Sequence, residues 1–280
     1  MKTSSRRIAS LAGKLAMFAM ALAVPLSSFA QSPTTAKPTV VLVHGAFADA
    51  SSWNAVIARL HAKGYPVIAA PNELRSVKTD AAEISSLVKS IPGPVVLVGH
   101  SYGGSVISQA ADGLSNVKAL VYVAAFAPEV GESAAQLAGQ FPGSTLGPAL
   151  APPVALADGG KDLYIQQDRF RAQFAADVPA DQARLMAAGQ RPITDAALHE
   201  ASTAAAWKRI PGWFVYGGAD LNIPPAAQAF MAKRAHAKRV EEIKGASHVV
   251  MVSHPDAVAA MIVEAATATA TANKAGARAR

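Results

Sequence analysis

The chain has 280 residues, of which 51% are hydrophobic and only 16% charged, with a formal net charge of +7 and no cysteine. That length suits one large α/β domain with a sizeable core, and the lack of cysteine excludes disulfides, thiolate metal sites and a catalytic thiol. The positive charge belongs to the ends: Lys2, Arg6, Arg7 and Lys14 at the start, and Lys274, Arg278 and Arg280 at the finish. The chain between them is balanced, so nothing points to nucleic acid or an acidic membrane as partner.

Residues 1–30 read as a removable export signal. A basic start without acidic residues leads into Leu15 to Val24, an apolar stretch too short to span a bilayer comfortably. Ser28-Phe29-Ala30 then offers small residues around a cleavage site after Ala30. Arg6-Arg7 has the look of a twin-arginine signal, but Ala9 and Ser10 stand where bulky apolar residues are expected, which favours the general secretory route. The expected location is the periplasm or the medium, with no stable membrane insertion after processing. Oligomeric state is left open.

The remaining pattern alternates strands and helices. Val40 to Val43 reads as a strand ended by His44-Gly45-Ala46-Phe47, and Ser51 to Lys63 as a helix with Trp53, Val56, Ile57 and Leu60 on one face. Pro66 to Ala69 is a second strand. A helix over Thr79 to Ser90 follows, capped by Thr79 or Asp80. Val95 to Val98 is a buried strand, then come a helix through Val106 and Ala110 and a strand at Val117 to Val123. Periodicity breaks between about residues 128 and 208, a stretch too long for a bare loop and read as an inserted helical cap. Alternation returns with a strand at Trp213 to Tyr216, a helix from Pro224 to Ala235, a strand at Arg239 to Ile243 and a helix from Pro255 to about Ala266. Residues 267–280 are expected to be a flexible tail. The fold class is therefore α/β: a doubly wound, mostly parallel sheet of about six strands, with the cap inserted before the strand ending near Asp220.

Such sheets bind ligands at the carboxyl ends of strands where the winding reverses. Two of those ends carry chemistry. Gly99-His100-Ser101-Tyr102-Gly103 has the pattern of a nucleophile elbow, in which small residues on both sides let strand and helix approach under a strained serine. Ser101 then needs a histidine base and an acid to orient it. Asp220 follows the strand after the cap, and His248, in Gly245-Ala246-Ser247-His248, follows the last strand. The order Ser101, Asp220, His248 is that of the elbow hydrolases. His254 is an alternative base, although its place before Pro255 suits a helix cap. His44 and His100 suit structural hydrogen bonds; His61, His199 and His236 suit surface or helix positions. Asp220 also suits a plain turn after two glycines. The oxyanion needs two N–H donors, assigned to Tyr102 and to Ala46 in the loop after the first strand. Phe47, Tyr102 and Phe126 are expected to line the pocket; Gln190 and Trp207 have pocket-facing positions as an alternative, with plain packing the preferred reading.

With these motifs in place, the chain over about 38–266 resembles the α/β-hydrolase fold family. Within it the chain is similar to small bacterial serine esterases related to plant methyl-ester esterases and hydroxynitrile lyases. Val249 and Gly45 stand where the plant lyases carry lysine and threonine, which argues against cyanohydrin cleavage. A serine nucleophile argues against dehalogenation and epoxide hydrolysis. The resemblance implies a small-molecule ester substrate, a covalent acyl-enzyme, and no metal or organic cofactor. Lactone opening, perhydrolysis or C–C hydrolysis on the same triad, and ligand binding without turnover, are the alternatives.

Overall fold

The computed structural model describes residues 37–278, with side chains as far as Ala268. The expected signal and its cleavage site after Ala30 lie outside these residues. The first strand, β1 (Thr39–Val43), is followed by a short 3-10 turn and helix α1 (Asn54–Ala62). Strand β2 (Val67–Ala70) leads to α2 (Val77–Lys89), then β3 (Val95–His100), α3 (Gly103–Ala110) and β4 (Val117–Val123). The next strands and helices form the insertion: α4 (Ala134–Gly139), α5 (Leu146–Ala149), β5 (Val154–Ala155), β6 (Lys161–Leu163), α6 (Gln167–Phe174), α7 (Ala180–Gly189), β7 (Ile193–Thr194) and α8 (Asp195–His199). The chain returns to the main sheet with β8 (Gly212–Gly217), α9 (Pro225–Arg234) and β9 (Arg239–Ile243), and ends in α10 (Val250–Ser253) and α11 (Pro255–Arg278).

Six strands form one parallel sheet in the order β2-β1-β3-β4-β8-β9. The winding reverses between β1 and β3, so the two motif-bearing strand ends lie side by side. Val40 to Val43 and Val95 to Val98 are fully buried, as uninterrupted aliphatic runs must be when helices cover both faces of a parallel sheet. Edge strand β9, Arg-Val-Glu-Glu-Ile, is instead partly exposed and charged, which discourages pairing with another chain.

Three expectations need correction. Helix α2 begins two residues earlier than expected, because the Ser76 hydroxyl, not Thr79 or Asp80, accepts the Thr79 N–H at 3.0 Å; Asp80 is free for a buried role described below. The insertion is not purely helical. Strands β5, β6 and β7 form a small antiparallel sheet, whose two- and three-residue strands are too short to leave a sequence period. Finally, α11 continues to Arg278, past the end expected near Ala266. Alanine is the strongest helix former, and the Ala/Thr run contains neither proline nor glycine until Gly276.

The insertion is tied to the core beside β1 and β2. Thr194 donates through its N–H to Leu74 O (3.1 Å) and through its hydroxyl to Arg75 O (2.7 Å). The Arg75 guanidinium reaches Asp162 Oδ1 at 2.6 Å and Pro192 O at 3.0 Å. The Glu200 carboxylate accepts the N–H groups of Val77 and Lys78 at the start of α2, where a negative charge meets the positive helix end.

Candidate active site

Ser101 sits on the turn from β3 into α3 with φ of 54°. A non-glycine residue in this left-handed region costs about 1–3 kcal/mol and persists only where its surroundings dictate it. Here they do. Its N–H donates to Val123 O at 3.3 Å, and its carbonyl accepts the N–H of Gly104 (2.9 Å) and of Phe126 (3.1 Å). The turn also needs close backbone approach. A Cβ on Gly99 would stand 2.5 Å from Gly103 O, one on Gly104 2.1 Å from Phe126 O, and one on Gly45 2.6 Å from Ser101 Cβ.

His248, on the loop after β9, pairs through Nδ1 with Asp220 Oδ2 at 2.7 Å, and both side chains are buried. Asp220 is also held independently of the histidine. Its Oδ1 accepts the N–H groups of Asn222 (2.8 Å) and Ile223 (3.0 Å), and its Oδ2 accepts Gln228 Nε2 (2.9 Å). The Asp220 carboxylate is thus paired on both oxygens. With Nδ1–H committed to the carboxylate, His248 keeps Nε2 as a proton acceptor, and that buried atom has no partner among the described residues.

The histidine ring is wedged by Phe174 of α6 (centroids 5.1 Å apart) and by His100 (4.8 Å). His100 donates through Nε2 to the His248 carbonyl at 3.2 Å. Burial, reinforced by the neighbouring His248, holds the His100 pKa well below the usual histidine value, so His100 stays neutral and serves as a spacer. His44 is likewise shifted down by burial; its Nε2 accepts the Asn72 N–H at 3.2 Å. His254 stands apart from Asp220. Its Nδ1 lies 3.5 Å from Asp177 Oδ2 in the insertion and 2.9 Å from Ser253 Oγ.

The N–H groups of Ala46 and Tyr102 donate to no acceptor among the described residues, while the neighbouring Phe47 N–H is taken by Arg191 O at 2.9 Å. Two amides are therefore available beside Ser101, both in the wall of one cavity. The Tyr102 hydroxyl is drawn away from that cavity and donates to Asp80 Oδ2 at 3.0 Å. Burial raises the Asp80 pKa, and burial, helped by the Asp80 charge, pushes the phenol upward too.

The cavity has a volume of about 360 Å3 and contains Ala46, Phe47, Ser101, Tyr102, Phe126 and His248 in its wall. Of the residues expected from sequence, Asp220 alone is outside the lining, buried where it holds His248. The insertion supplies most of the remaining wall, including Leu146, Leu163, Phe174 and Leu198, with Asp195 and His199 as polar members. Sequence reasoning missed these residues, and it missed Gln228. Nothing in the sequence marks a glutamine on α9 as a partner of Asp220; only the fold brings them together. Neither Gln190 nor Trp207 lines this cavity: Gln190 bonds Ile165 and Ala187 and borders a separate space, and Trp207 Nε1 donates to Pro128 O at 2.8 Å. Among the described residues no group of three or more His, Cys, Asp or Glu is placed to hold a metal, and no helix is long and apolar enough to cross a membrane.

This sheet, elbow and insertion define the alpha/beta hydrolase family, and the chain belongs to it: the family model matches residues 40–261. Among its relatives is the alpha/beta hydrolase nvfD of Aspergillus novofumigatus, 29% identical over 82% of this chain and 97% of that protein. Methylesterase 3 of Arabidopsis thaliana is 26% identical over 82% of this chain and 96% of its own length. Among solved structures, polyneuridine aldehyde esterase superposes with a TM-score of 0.71 at 19% identity, covering 81% of this chain and 98% of that one. The chain is thus a hydrolase by family, with esterases among its relatives.

Proposed function

We propose that this hydrolase cleaves small, mostly apolar carboxylic esters through an acyl-enzyme. The observation that carries the reading is the Asp220–His248 pair, 2.7 Å apart, with the free Nε2 of His248 in the wall of the same apolar cavity as Ser101. Ser101 Oγ attacks the ester carbonyl while His248 Nε2 takes its proton. The Ala46 and Tyr102 amides receive the developing oxyanion. His248 then gives the proton to the departing alcohol, leaving an acyl-serine. A water, deprotonated by His248, attacks that acyl group, and the carboxylic acid leaves as the proton returns to Ser101. Asp220 stabilises the imidazolium formed in each half-reaction.

The apolar wall supports a neutral, compact substrate, and methylesterases among the relatives support an ester. Labelling with a fluorophosphonate is the direct test. Wild type is expected to be labelled and Ser101→Ala is not; an unlabelled wild type overturns the reading and favours a binding protein. A series of p-nitrophenyl esters is expected to show preference for short acyl chains, and preference for long ones refutes the compact-substrate part. Lactones, peracid formation and β-diketones assayed beside the esters separate the other reactions open to the same groups. From the basic and apolar pattern of residues 1–30 we also propose that the mature protein lies in the periplasm or the medium, which an N-terminus at Gln31 on secreted material would support and retention of residues 1–30 would refute.

A further inference from the structure

A second cavity of about 330 Å3 lies on the other side of the loop after β1. Its wall is made by Ala48, Asp49, Ser51 and Ala55 on the sheet side, and by Leu185 and Met186 of α7 on the insertion side. One residue belongs to the walls of both cavities: Phe47. Its placement is unusual in three respects. It has φ of 60°, a strained value for an aromatic residue. Its N–H is bonded to Arg191 O of the insertion. Its ring, 3% exposed, stands edge-on to Phe174 at 6.1 Å, and Phe174 in turn packs on His248. Phe47 is thus clamped in place between the two spaces and next to the Ala46 amide.

Half of the polar side chains of the second cavity, Asp49, Ser51 and Ser52, are paired among themselves, Gln190 is bonded to Ile165 and Ala187, and Asn54 and Gln182 complete the polar lining. Asp49 Oδ1 accepts the Ser51 N–H at 2.7 Å and the Ser51 hydroxyl at 2.5 Å, and the Ser52 hydroxyl donates to Asp49 O at 2.6 Å. The space is open to solvent at Leu185, which is 71% exposed, and it offers the apolar surface of Ala48, Ala55, Leu185, Met186 and Val252 beside those polar groups.

We propose that Phe47 is the specificity-determining partition of this enzyme: its side chain limits the acyl chain to what the Ser101 cavity holds, and the second cavity is a latent extension for straight medium-chain acyl groups. The inference rests on the ester-hydrolase reading and deepens it. Phe47→Ala joins the two spaces. Each further methylene that becomes buried is worth about a factor of four, so the kcat/KM ratio of p-nitrophenyl octanoate to butyrate is expected to rise at least about tenfold. Phe47→Leu, the variant to use if Phe47→Ala does not fold, is expected to move the same ratio in the same direction by a smaller amount. Met186→Trp, which fills the second cavity from α7, is expected to cancel the gain in the Phe47 variants and to leave butyrate turnover of the otherwise wild-type enzyme unchanged.

Fluorophosphonate labelling of each protein separates the two levels of the argument. An unlabelled wild type removes the hydrolase reading and this inference with it. Labelled Phe47 variants whose ratio does not change overturn the partition alone. A gain that survives Met186→Trp also overturns it, because the extra length would then lie within the Ser101 cavity.

Discussion

Replacing Gln228 with methionine tests whether the acid of the proposed triad is held by more than its histidine. Methionine keeps the length of the side chain and removes its donor. In the wild type Gln228 Nε2 donates to Asp220 Oδ2 at 2.9 Å and to Ile223 O at 3.0 Å, and Gln228 is 1% exposed. The first of these is a buried hydrogen bond to a charged acceptor, worth about 1.5–3 kcal/mol. Three of the four donors to Asp220 remain, so the carboxylate should stay in place but less firmly. A loss of about 2 kcal/mol corresponds to a fall in Tm of roughly 4–8 °C for a domain of this size. Gln228 has no part in the cavity wall, so the kinetic effect should fall on kcat, about tenfold, with KM unchanged. Thermal unfolding and steady-state turnover of p-nitrophenyl butyrate measure both. A variant with wild-type Tm and kcat refutes the idea that Gln228 supports Asp220, and a changed KM at constant kcat would show that it acts on substrate instead. Gln228→Glu sharpens the test by placing a second carboxylate against Asp220, and its loss of activity should deepen as pH rises.

Gly104→Ala would set a Cβ 2.1 Å from Phe126 O and 2.9 Å from Ala125 Cβ; overpacking of about 1–3 kcal/mol should lower Tm by about 2–12 °C, whereas Gly139→Ala, with nothing within 4 Å of the added atom, should not. His248→Ala is expected to cut kcat at least about a thousandfold, while His254→Ala retains most activity; the opposite result moves the base to His254. Burial depresses the pKa of both His44 and His100 in the folded chain, so the unfolded chain binds more protons as pH falls below the ordinary histidine value of about 6.5. Stability should therefore be full above that pH and decline below it toward the depressed values. His100→Gln should flatten this part of a Tm-against-pH curve, and an unchanged slope refutes the contribution. Arg75→Ala, which removes the contacts to Asp162 and Pro192 O, should loosen the insertion and speed its proteolysis without abolishing fluorophosphonate labelling.

Much of the site was legible in the chain because each part obeys a local rule. Short, β-branched, uninterrupted aliphatic runs such as Val40 to Val43 favour buried central strands. Gly99, Gly103 and Gly104 announce a close approach, and a Cβ added at any of the three would meet backbone oxygen at 2.1–2.6 Å. Asp220 and His248 were legible by position, each just after a strand on the side where the elbow opens. The insertion obeyed no such rule. Its strands β5, β6 and β7 are two or three residues long, and they are held by neighbours far along the chain, so no window of sequence contains their cause.

By itself, then, the sequence determined the parallel sheet, the turn that carries Ser101 and the placing of Asp220 and His248 just after strands, because hydrophobic period, glycine spacing and strand ends are local properties. Only the tertiary structure decided what surrounds them. Gln228 reaches Asp220, Phe174 packs on His248, and Phe47 stands between two cavities because segments distant in the chain converge there, and that convergence is set by packing rather than by any local pattern.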